Sequence, residues 1–178
     1  KEILFNSYFG SSLNQQINLL NYEGETLSGW PFLINSSLGN GPLLLTSEDI
    51  NGDNIEEVLV LISGLGRIYI YAISYNGTLV NYWDFSGIYS EEFSSSLSLA
   101  DINNDGKRDF VITTDKVVYI FDIYCNSLSG WPQEIGEPNF MMQWDKISYP
   151  AIGDLDGDGN SEIVMGFPYY SSSFENYN

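Results

Sequence analysis

Short apolar stretches separated by polar, glycine-rich turns recur along this chain of 178 residues. The stretches are rich in β-branched and aromatic residues, as in 67–73 and 117–123, and such residues favour strands. No window sustains an apolar period of 3.6 residues, and frequent glycine, serine and asparagine would interrupt any helix. The pattern therefore predicts an all-β fold.

Each period of the pattern contains four predicted strands, which we name A to D in chain order. Strand A is expected at 42–45, 97–100 and 149–152, and strand C at 16–20, 67–73 and 117–123. Strand D is expected to begin at Leu27, Leu79 and Leu128. Asn76-Gly77 between strands C and D is a strong hairpin signal. We expect antiparallel four-stranded sheets; a β-solenoid is the alternative, but its rungs are shorter than these repeats.

Three nine-residue loops join strand A to strand B and carry oxygen-bearing side chains at positions 1, 3, 5 and 9. The first loop covers 49–57, the second 101–109 and the third 154–162, so successive loops begin 52 and 53 residues apart. A fixed period of about 50 residues is typical of repeat arrays and propellers.

The side chains of such a loop converge on one point when the chain curls, and Ca²⁺ binds oxygen sets of this kind. Without a cation the clustered carboxylates would repel one another. Asparagine at position 3 still offers an oxygen, and glycine or Asn54 at position 6 tolerates a positive φ. The candidate ligands, with position 7 contributing its backbone carbonyl, are Asp49, Asn51, Asp53, Ile55 and Glu57 in the first loop, Asp101, Asn103, Asp105, Lys107 and Asp109 in the second, and Asp154, Asp156, Asp158, Asn160 and Glu162 in the third.

Two other interpretations of the loops are weaker. An EF-hand requires glutamate at position 12, where this chain has Val60, Ile112 and Met165. An ion-free cluster of turn residues does not account for three copies at one spacing with a carboxylate always at position 9. We therefore predict up to three Ca²⁺ sites.

The charge balance narrows the class of partner and of activity. Six Lys and Arg against 24 Asp and Glu give a net charge of −18, which disfavours nucleic acid and anionic membranes as partners. The chain has no apolar run long enough to span a membrane, so no membrane insertion is expected in this segment.

Histidine is absent, so a Ser-His-Asp triad is impossible within the chain. We predict a non-catalytic protein, with a polysaccharide-active enzyme as a weaker alternative.

Several features favour an extracellular or cell-surface location. Asn35 and Asn76 begin N-glycosylation sequons, although Asn76 also suits a simple hairpin turn. Millimolar Ca²⁺ outside cells suits loop sites of moderate affinity.

Cys125 is the single cysteine and is interpreted as a packed small residue or a lone thiol. Most of the aromatic residues, 15% of the chain, are expected to pack between sheets.

The segment 149–164, which joins Tyr-Pro-Ala-Ile-Gly to the third loop and then to Glu-Ile-Val, is similar to FG-GAP/VCBS-type repeats. The Leu-Ser-Gly-Trp-Pro segments at 27–31 and 128–132 resemble the strand D region of such repeats. These repeats build the β-propellers of integrin alpha subunits and many microbial surface proteins. The resemblance implies β-propeller blades of four antiparallel strands with structural Ca²⁺ in the loop between strands A and B.

On this resemblance we expect residues 1–178 to form part of one β-propeller domain. The repeat units are placed at about 1–41 (partial), 42–93, 94–146 and 147–178 (partial), as a piece of a longer array. The expected function is calcium-stabilised extracellular binding or adhesion to a protein or glycan. The alternative is a structural subunit or decoration of an extracellular filament or surface assembly, with neighbouring subunits as partners.

Overall fold

The computed structural model describes residues 3–9, 14–34, 43–64, 67–86, 88, 96–114, 117–135 and 150–166. The regular elements in these ranges are all β-strands. They are β1 (Ile3–Phe9), β2 (Asn14–Leu20), β3 (Phe32–Ile34), β4 (Leu43–Glu48), β5 (Glu57–Gly64), β6 (Arg67–Ile73), β7 (Leu79–Ser86), β8 (Ser96–Ala100), β9 (Asp109–Thr113), β10 (Val117–Phe121), β11 (Gln133–Glu134), β12 (Ala151–Gly153) and β13 (Glu162–Val164).

The strands form antiparallel meanders in which neighbours in the sheet are also neighbours in the chain. The first sheet contains β1–β3, the second β4–β7, the third β8–β11, and β12 and β13 form a terminal hairpin. The second and third sheets confirm the prediction of an all-β fold with four-stranded antiparallel sheets. Closure of the sheets into a propeller stays a prediction.

Strand β5 shows why the apolar pattern gives these sheets. Its residues Val58 to Ile62 are all buried, so both of its faces are covered. This matches the unbroken apolar run of the sequence, since a strand covered on one face alternates instead. Strand β10 does alternate, with Val118 and Ile120 buried and Val117, Tyr119 and Phe121 half-buried.

The chain divides into two compact units, one of residues 1–93 and 123–126 and the other of residues 94–122 and 127–178. In the first unit, buried residues of the first sheet pack on β5 and β6. In the second unit, β9 and β10 pack against the terminal hairpin. The buried core of the first unit includes Ile17, Leu19, Trp30, Ile34, Val58, Val60, Ile62, Tyr69 and Ile73, and that of the second joins Val111, Val118 and Ile120 to Ile152, Ile163 and Met165.

Strand D begins later than predicted in the first and third sheets, at Phe32 and Gln133 instead of Leu27 and Leu128. In the first sheet Trp30 N–H donates to the Leu27 carbonyl (3.1 Å), which makes a second turn before the strand. This turn needs a left-handed glycine, and the proline after it offers no N–H to a ladder. The second sheet lacks the Gly-Trp-Pro segment, and its strand D begins at Leu79 as predicted.

Strand C of the third sheet also ends earlier than predicted, at Phe121 instead of Ile123. Residues 122–126 form the turn toward strand D, and Cys125 within it has a φ of 64°. Gly24 and Gly77 occupy the same position in the first and second turns, with φ of 85° and 78°. A cysteine therefore stands where the other two turns have a glycine.

Two tryptophan side chains tie strand D regions to distant turns within the first unit. Trp30 Nε1 donates to the backbone carbonyl of Tyr75, and Trp83 Nε1 donates to that of Ile123, both at 2.8 Å. Beside the first of these bonds, the backbone of Gly29 approaches Asn76 so closely that a Cβ on Gly29 would overlap the Asn76 carbonyl oxygen. Glycine is therefore required at position 29 by contact as well as by its φ of 92°.

Candidate metal centre

Each acidic loop connects the two strands of one β-hairpin, as the sequence predicts. Backbone pairing closes the loops at Glu48–Glu57, Ala100–Asp109 and Gly153–Glu162. Position 9 is therefore at once the last residue of the loop and the first residue of the following strand. This pairing holds the carboxylate of position 9 beneath the curled loop.

The aspartate at position 1 organises the turn by accepting backbone N–H groups. Asp154 Oδ1 accepts from Gly157 (2.7 Å) and Asp158 (3.1 Å), and its Oδ2 accepts from Gly159 (3.0 Å). Asp49 accepts from the same three positions of the first loop, and Asp101 accepts from positions 5 and 6 of the second. Desolvation raises the pKa of Asp49, but its several backbone donors outweigh this and the pKa is lowered.

The carboxylate at position 9 is held by the backbone of position 2 in all three loops. The N–H groups of Ile50, Ile102 and Leu155 donate to it at 3.2, 2.9 and 2.7 Å. Glu57 and Asp109 are buried, with 2% and 1% exposure, whereas Glu162 is half-buried. Burial, and after it the nearby negative charges of the same loop, raise the pKa of Glu57 and of Asp109.

One buried carboxylate oxygen of the second loop has no hydrogen-bond donor. Asp109 Oδ1 is buried and accepts no hydrogen bond. A buried carboxylate oxygen without a donor costs free energy, and such an atom calls for an explanation such as an ion. A cation bound by the second loop would supply the missing partner.

In the third loop the carboxylates themselves converge. Oxygens of Asp154, Asp156 and Glu162 lie within 4.8 Å of one another, the group of three acids in the described part of the chain that meets this distance. The fourth predicted carboxylate, Asp158, is not in that group. It accepts from Asn160 N (2.8 Å) and Asn160 Nδ2 (3.0 Å), and these bonds lower its pKa.

The asparagines at position 3 make the first two loops different from the third. Asn51 Nδ2 donates to Glu57 Oε1 at 2.9 Å, so both oxygens of Glu57 accept hydrogen bonds in the first loop. Asn103 Nδ2 lies 3.4 Å from Asp105 Oδ2 and does not donate to Asp109 Oδ1. The first loop is thus satisfied by its own groups, and the second is not.

Position 7 sits beside position 5 in every loop. The N–H groups of Ile55, Lys107 and Asn160 donate to the carboxylates at position 5 at 2.7, 2.9 and 2.8 Å. These bonds fix the backbone of the residues whose carbonyls were predicted as ligands. The ligand role of the carbonyls stays a prediction.

The sequence analysis missed a second left-handed position. Position 4 has a positive φ in each loop, at Gly52 (82°), Asn104 (58°) and Gly157 (80°), in addition to position 6. Glycine in two copies and asparagine in the third was the available signal. Also missed was the bond from Asn104 Nδ2 to Asn160 Oδ1 (3.0 Å), which links the second loop to the third.

The donor set fits a hard divalent cation. The loops offer carboxylate and amide oxygens, which Ca²⁺ binds in flexible sets of six to eight. The buried Asp109 oxygen and the three convergent carboxylates of the third loop are what such an ion would complete. The arrangement suits structural binding, because the same carboxylates also accept the backbone donors that shape the loop.

Glycosylation of Asn35 and Asn76 stays a prediction. Asn76 lies exposed in the turn between β6 and β7, and its Oδ1 accepts the Thr78 N–H (3.1 Å), while Asn35 lies outside the described residues. Cys125 is an exposed thiol, not a packed residue. A search of the described ranges for a helix able to cross a membrane found no candidate.

The comparison with protein families finds two matches to the FG-GAP-like repeat, at residues 49–112 and 101–165. Each match begins at position 1 of a loop and runs through the next loop into its strand B. No solved structure matches the chain. Because the two matches together cover about two thirds of the sequence, the chain belongs to the FG-GAP-like repeat family.

Proposed function

We propose that this chain is a calcium-stabilised, non-catalytic repeat module that acts outside the cell by binding a protein or glycan. Repeats of the FG-GAP family are typical of extracellular adhesion modules, and this family membership supports both the location and the absence of catalysis. Calcium serves here to hold the loop between strands A and B. Bound ions would also offset part of the net charge of −18.

The observation that carries the calcium proposal is the unpartnered, buried Oδ1 of Asp109. The convergence of Asp154, Asp156 and Glu162 gives independent support in another loop. The first loop is expected to bind most weakly, because Asn51 already donates to Glu57 where an ion would act. The proposed ligands remain the residues predicted in the three loops.

Native mass spectrometry of the metal-depleted chain with added CaCl₂ tests the proposal. We expect two ions to bind first and a third to bind at higher concentration. The double variant Asp109→Asn/Glu162→Gln should lose the two early ions, while Asp84→Asn, a carboxylate outside the loops, should keep them. Absence of calcium adducts on the folded parent chain would overturn the proposal.

Three exposed tyrosines are our proposed contact residues for the ligand. Tyr22, Tyr75 and Tyr124 lie in the turns that follow the C strands and are 79%, 60% and 67% exposed. Tyrosine combines an apolar ring with a polar hydroxyl and is enriched in binding interfaces. We expect binding to a glycan array or to intact cells to fall in the triple serine variant, with the Ca²⁺-dependent stability unchanged; equal binding by the variant would remove these residues from the proposal.

Assembly with neighbouring subunits is the second candidate function. Val164 on the terminal hairpin is 48% exposed, whereas Val111, which occupies the same repeat position in β9, is fully buried. An exposed residue at a position used for sheet packing suits contact with another sheet. Sedimentation equilibrium tests this: a concentration-dependent oligomer that Val164→Lys abolishes would support assembly, and a monomer at all concentrations would contradict self-assembly.

A further inference from the structure

A side-chain hydrogen bond connects the second loop directly to the third. Asn104 Nδ2 donates to Asn160 Oδ1 at 3.0 Å, although 56 residues separate the two. Both belong to the second compact unit. Asn104 is at position 4 of its loop and Asn160 is at position 7 of the next.

On the third-loop side, the bond reaches a group that helps to shape the metal site. The Asn160 side chain also donates from Nδ2 to Asp158 Oδ1 (3.0 Å), and its backbone N–H donates to the same oxygen (2.8 Å). The backbone carbonyl of Asn160 is a candidate calcium ligand. Any ordering of the third loop by an ion therefore fixes the Asn160 amide that receives Asn104.

On the second-loop side, the bond holds the turn between two candidate ligands. Asn104 stands between Asn103 and Asp105 and has a φ of 58°, a conformation that costs a residue with a side chain some free energy. Asp105 in turn donates its N–H to both Asp101 Oδ1 and Asn103 Oδ1, at 3.0 and 2.9 Å. Fixing Asn104 thus fixes the segment that presents these oxygens.

We propose that the Asn104–Asn160 bond makes calcium binding by the second and third loops positively cooperative. This inference rests on the proposed function. When one ion orders its loop, the shared bond orders part of the other, so the second ion meets a loop with less freedom left to lose. The coupling is reciprocal: each ion raises the affinity of the other loop by the same factor.

The size of the effect follows from the bond that carries it. One hydrogen bond between neutral side chains contributes about 0.5–1.5 kcal/mol, which corresponds to a change in affinity of about 2- to 12-fold. The other loops have Gly52 and Gly157 at position 4, which have no side chain to make such a bond. Asn104→Gly is therefore a matched variant: it keeps a residue suited to positive φ and removes only the link.

Calcium titration of the metal-depleted full chain, followed by two-dimensional ¹H–¹⁵N NMR, reports each loop separately. The Gly106 amide donates to Asp101 and the Gly159 amide donates to Asp154, so their signals report the second and third loops. Disabling the third loop with Glu162→Gln should raise the calcium midpoint at Gly106 by about 2- to 12-fold. In the Asn104→Gly background, Glu162→Gln should leave that midpoint unchanged.

A second pair of variants covers the case in which Glu162→Gln fails to fold. Asn160→Ala keeps the backbone carbonyl and removes both side-chain bonds, and it should shift the Gly106 midpoint only when residue 104 is asparagine. Equal midpoints in all variants, or equal shifts with asparagine and glycine at 104, would overturn the coupling while leaving calcium binding intact. If neither amide of the folded parent responds to calcium, the proposed function fails and the coupling fails with it.

Discussion

The ninth residue of each loop combines two roles: it begins a strand, and its carboxylate is a candidate metal ligand. Asp109 begins β9, accepts the Ile102 N–H at Oδ2, and buries Oδ1 without a donor. Glu57 occupies the same loop position, but the side-chain amide of Asn51 donates a hydrogen bond to its second oxygen. The amide at position 3, present in both loops, donates to position 9 in the first loop and to position 5 in the second, which leaves Asp109 Oδ1 without a donor.

Asp109→Asn is expected to change the response to calcium more than the fold. Without calcium, the variant should be at least as stable as the parent, because a neutral amide replaces a buried carboxylate whose Oδ1 has no donor. With calcium at about 100 times Kd, the parent should gain about 2.7 kcal/mol from this loop, and the variant should not. Urea denaturation with and without calcium measures both values.

The exposed carboxylate of Asp84, paired with Arg67 at 3.9 Å, supplies the control. Asp84→Asn should retain the full calcium-dependent gain. If Asp109→Asn retained it too, the second loop would not be the site we describe.

The shifted carboxyl groups predict how the stability of the metal-free chain depends on pH. The pKa values of Glu57 and Asp109 are raised by burial, so the folded chain binds protons there more tightly than the unfolded chain. Their stabilising effect is full below the ordinary pKa of about 4 and is lost as the pH rises through the higher folded-state values. Asp49 and Asp158 have lowered pKa values, and their contribution is lost only on acidification below about pH 4.

We therefore expect the Tm of the metal-depleted chain to rise as the pH is lowered from neutral toward the ordinary carboxyl pKa of about 4. In excess calcium the trend should reverse, because protons compete with the ion for the same oxygens. Thermal scans of chain freed of metal on a chelating resin measure this, and Asp109→Asn should flatten the metal-free slope. A metal-free Tm that falls on mild acidification would contradict the assignment of the two raised groups.

At the level of strands and turns, one repeated segment has two different environments. Gly29 and Gly130 both precede Trp-Pro and have φ of 92° and 89°. The backbone of Asn76 lies against Gly29, whereas no described atom lies within 4 Å of a Cβ built on Gly130. The same substitution at the two positions therefore separates conformational strain from contact.

We expect Gly29→Ala to be far more destabilising than Gly130→Ala. Gly130→Ala should lower the free energy of unfolding by about 1–2 kcal/mol, the cost of a side chain in the left-handed region. Gly29→Ala adds an overlap with backbone that must shift, so a loss of more than about 4 kcal/mol, or failure to fold, is expected. Equal losses in denaturant titrations would show that the Gly29–Asn76 approach is not tight in solution.

The strands and loops show which features the sequence could predict. Strand β6 coincides with the predicted 67–73, because its β-branched and aromatic run is bounded by turn residues. The three loops were predicted from the spacing of their acids, since position 9 must both reach the loop and start a strand. Strand D was placed too early before Trp30-Pro31 and Trp131-Pro132, because leucine in a turn and leucine in a strand look alike in a local pattern.

Contacts between distant segments were beyond the sequence pattern. The bonds from Trp30 to Tyr75 and from Asn104 to Asn160 join residues 45 and 56 positions apart. Their partners depend on how neighbouring sheets meet, which local periodicity does not encode. The burial of one Asp109 oxygen without a donor has the same origin, because a list of acidic residues does not show which atoms lose contact with water.

For the chain as a whole, much of the acidic charge lies at the proposed calcium ligands. The three loops hold ten of the 24 acidic residues at candidate ligand positions, on a chain whose net charge is −18. Repulsion among these groups destabilises the folded state in the absence of cations. Stability linked to calcium is thus the proposal that the family assignment, the loop geometry and the composition all support.

Differential scanning calorimetry of the full chain, in EDTA and in increasing CaCl₂ at constant ionic strength, is the most direct test of the central claim. A site occupied at 100 times Kd adds about 2.7 kcal/mol, which for a chain of this length corresponds to about 5–10 °C in Tm per loop. We predict a rise of this size that continues as the loops fill, and no comparable rise with KCl. A Tm that is the same in EDTA and in millimolar calcium would contradict the account.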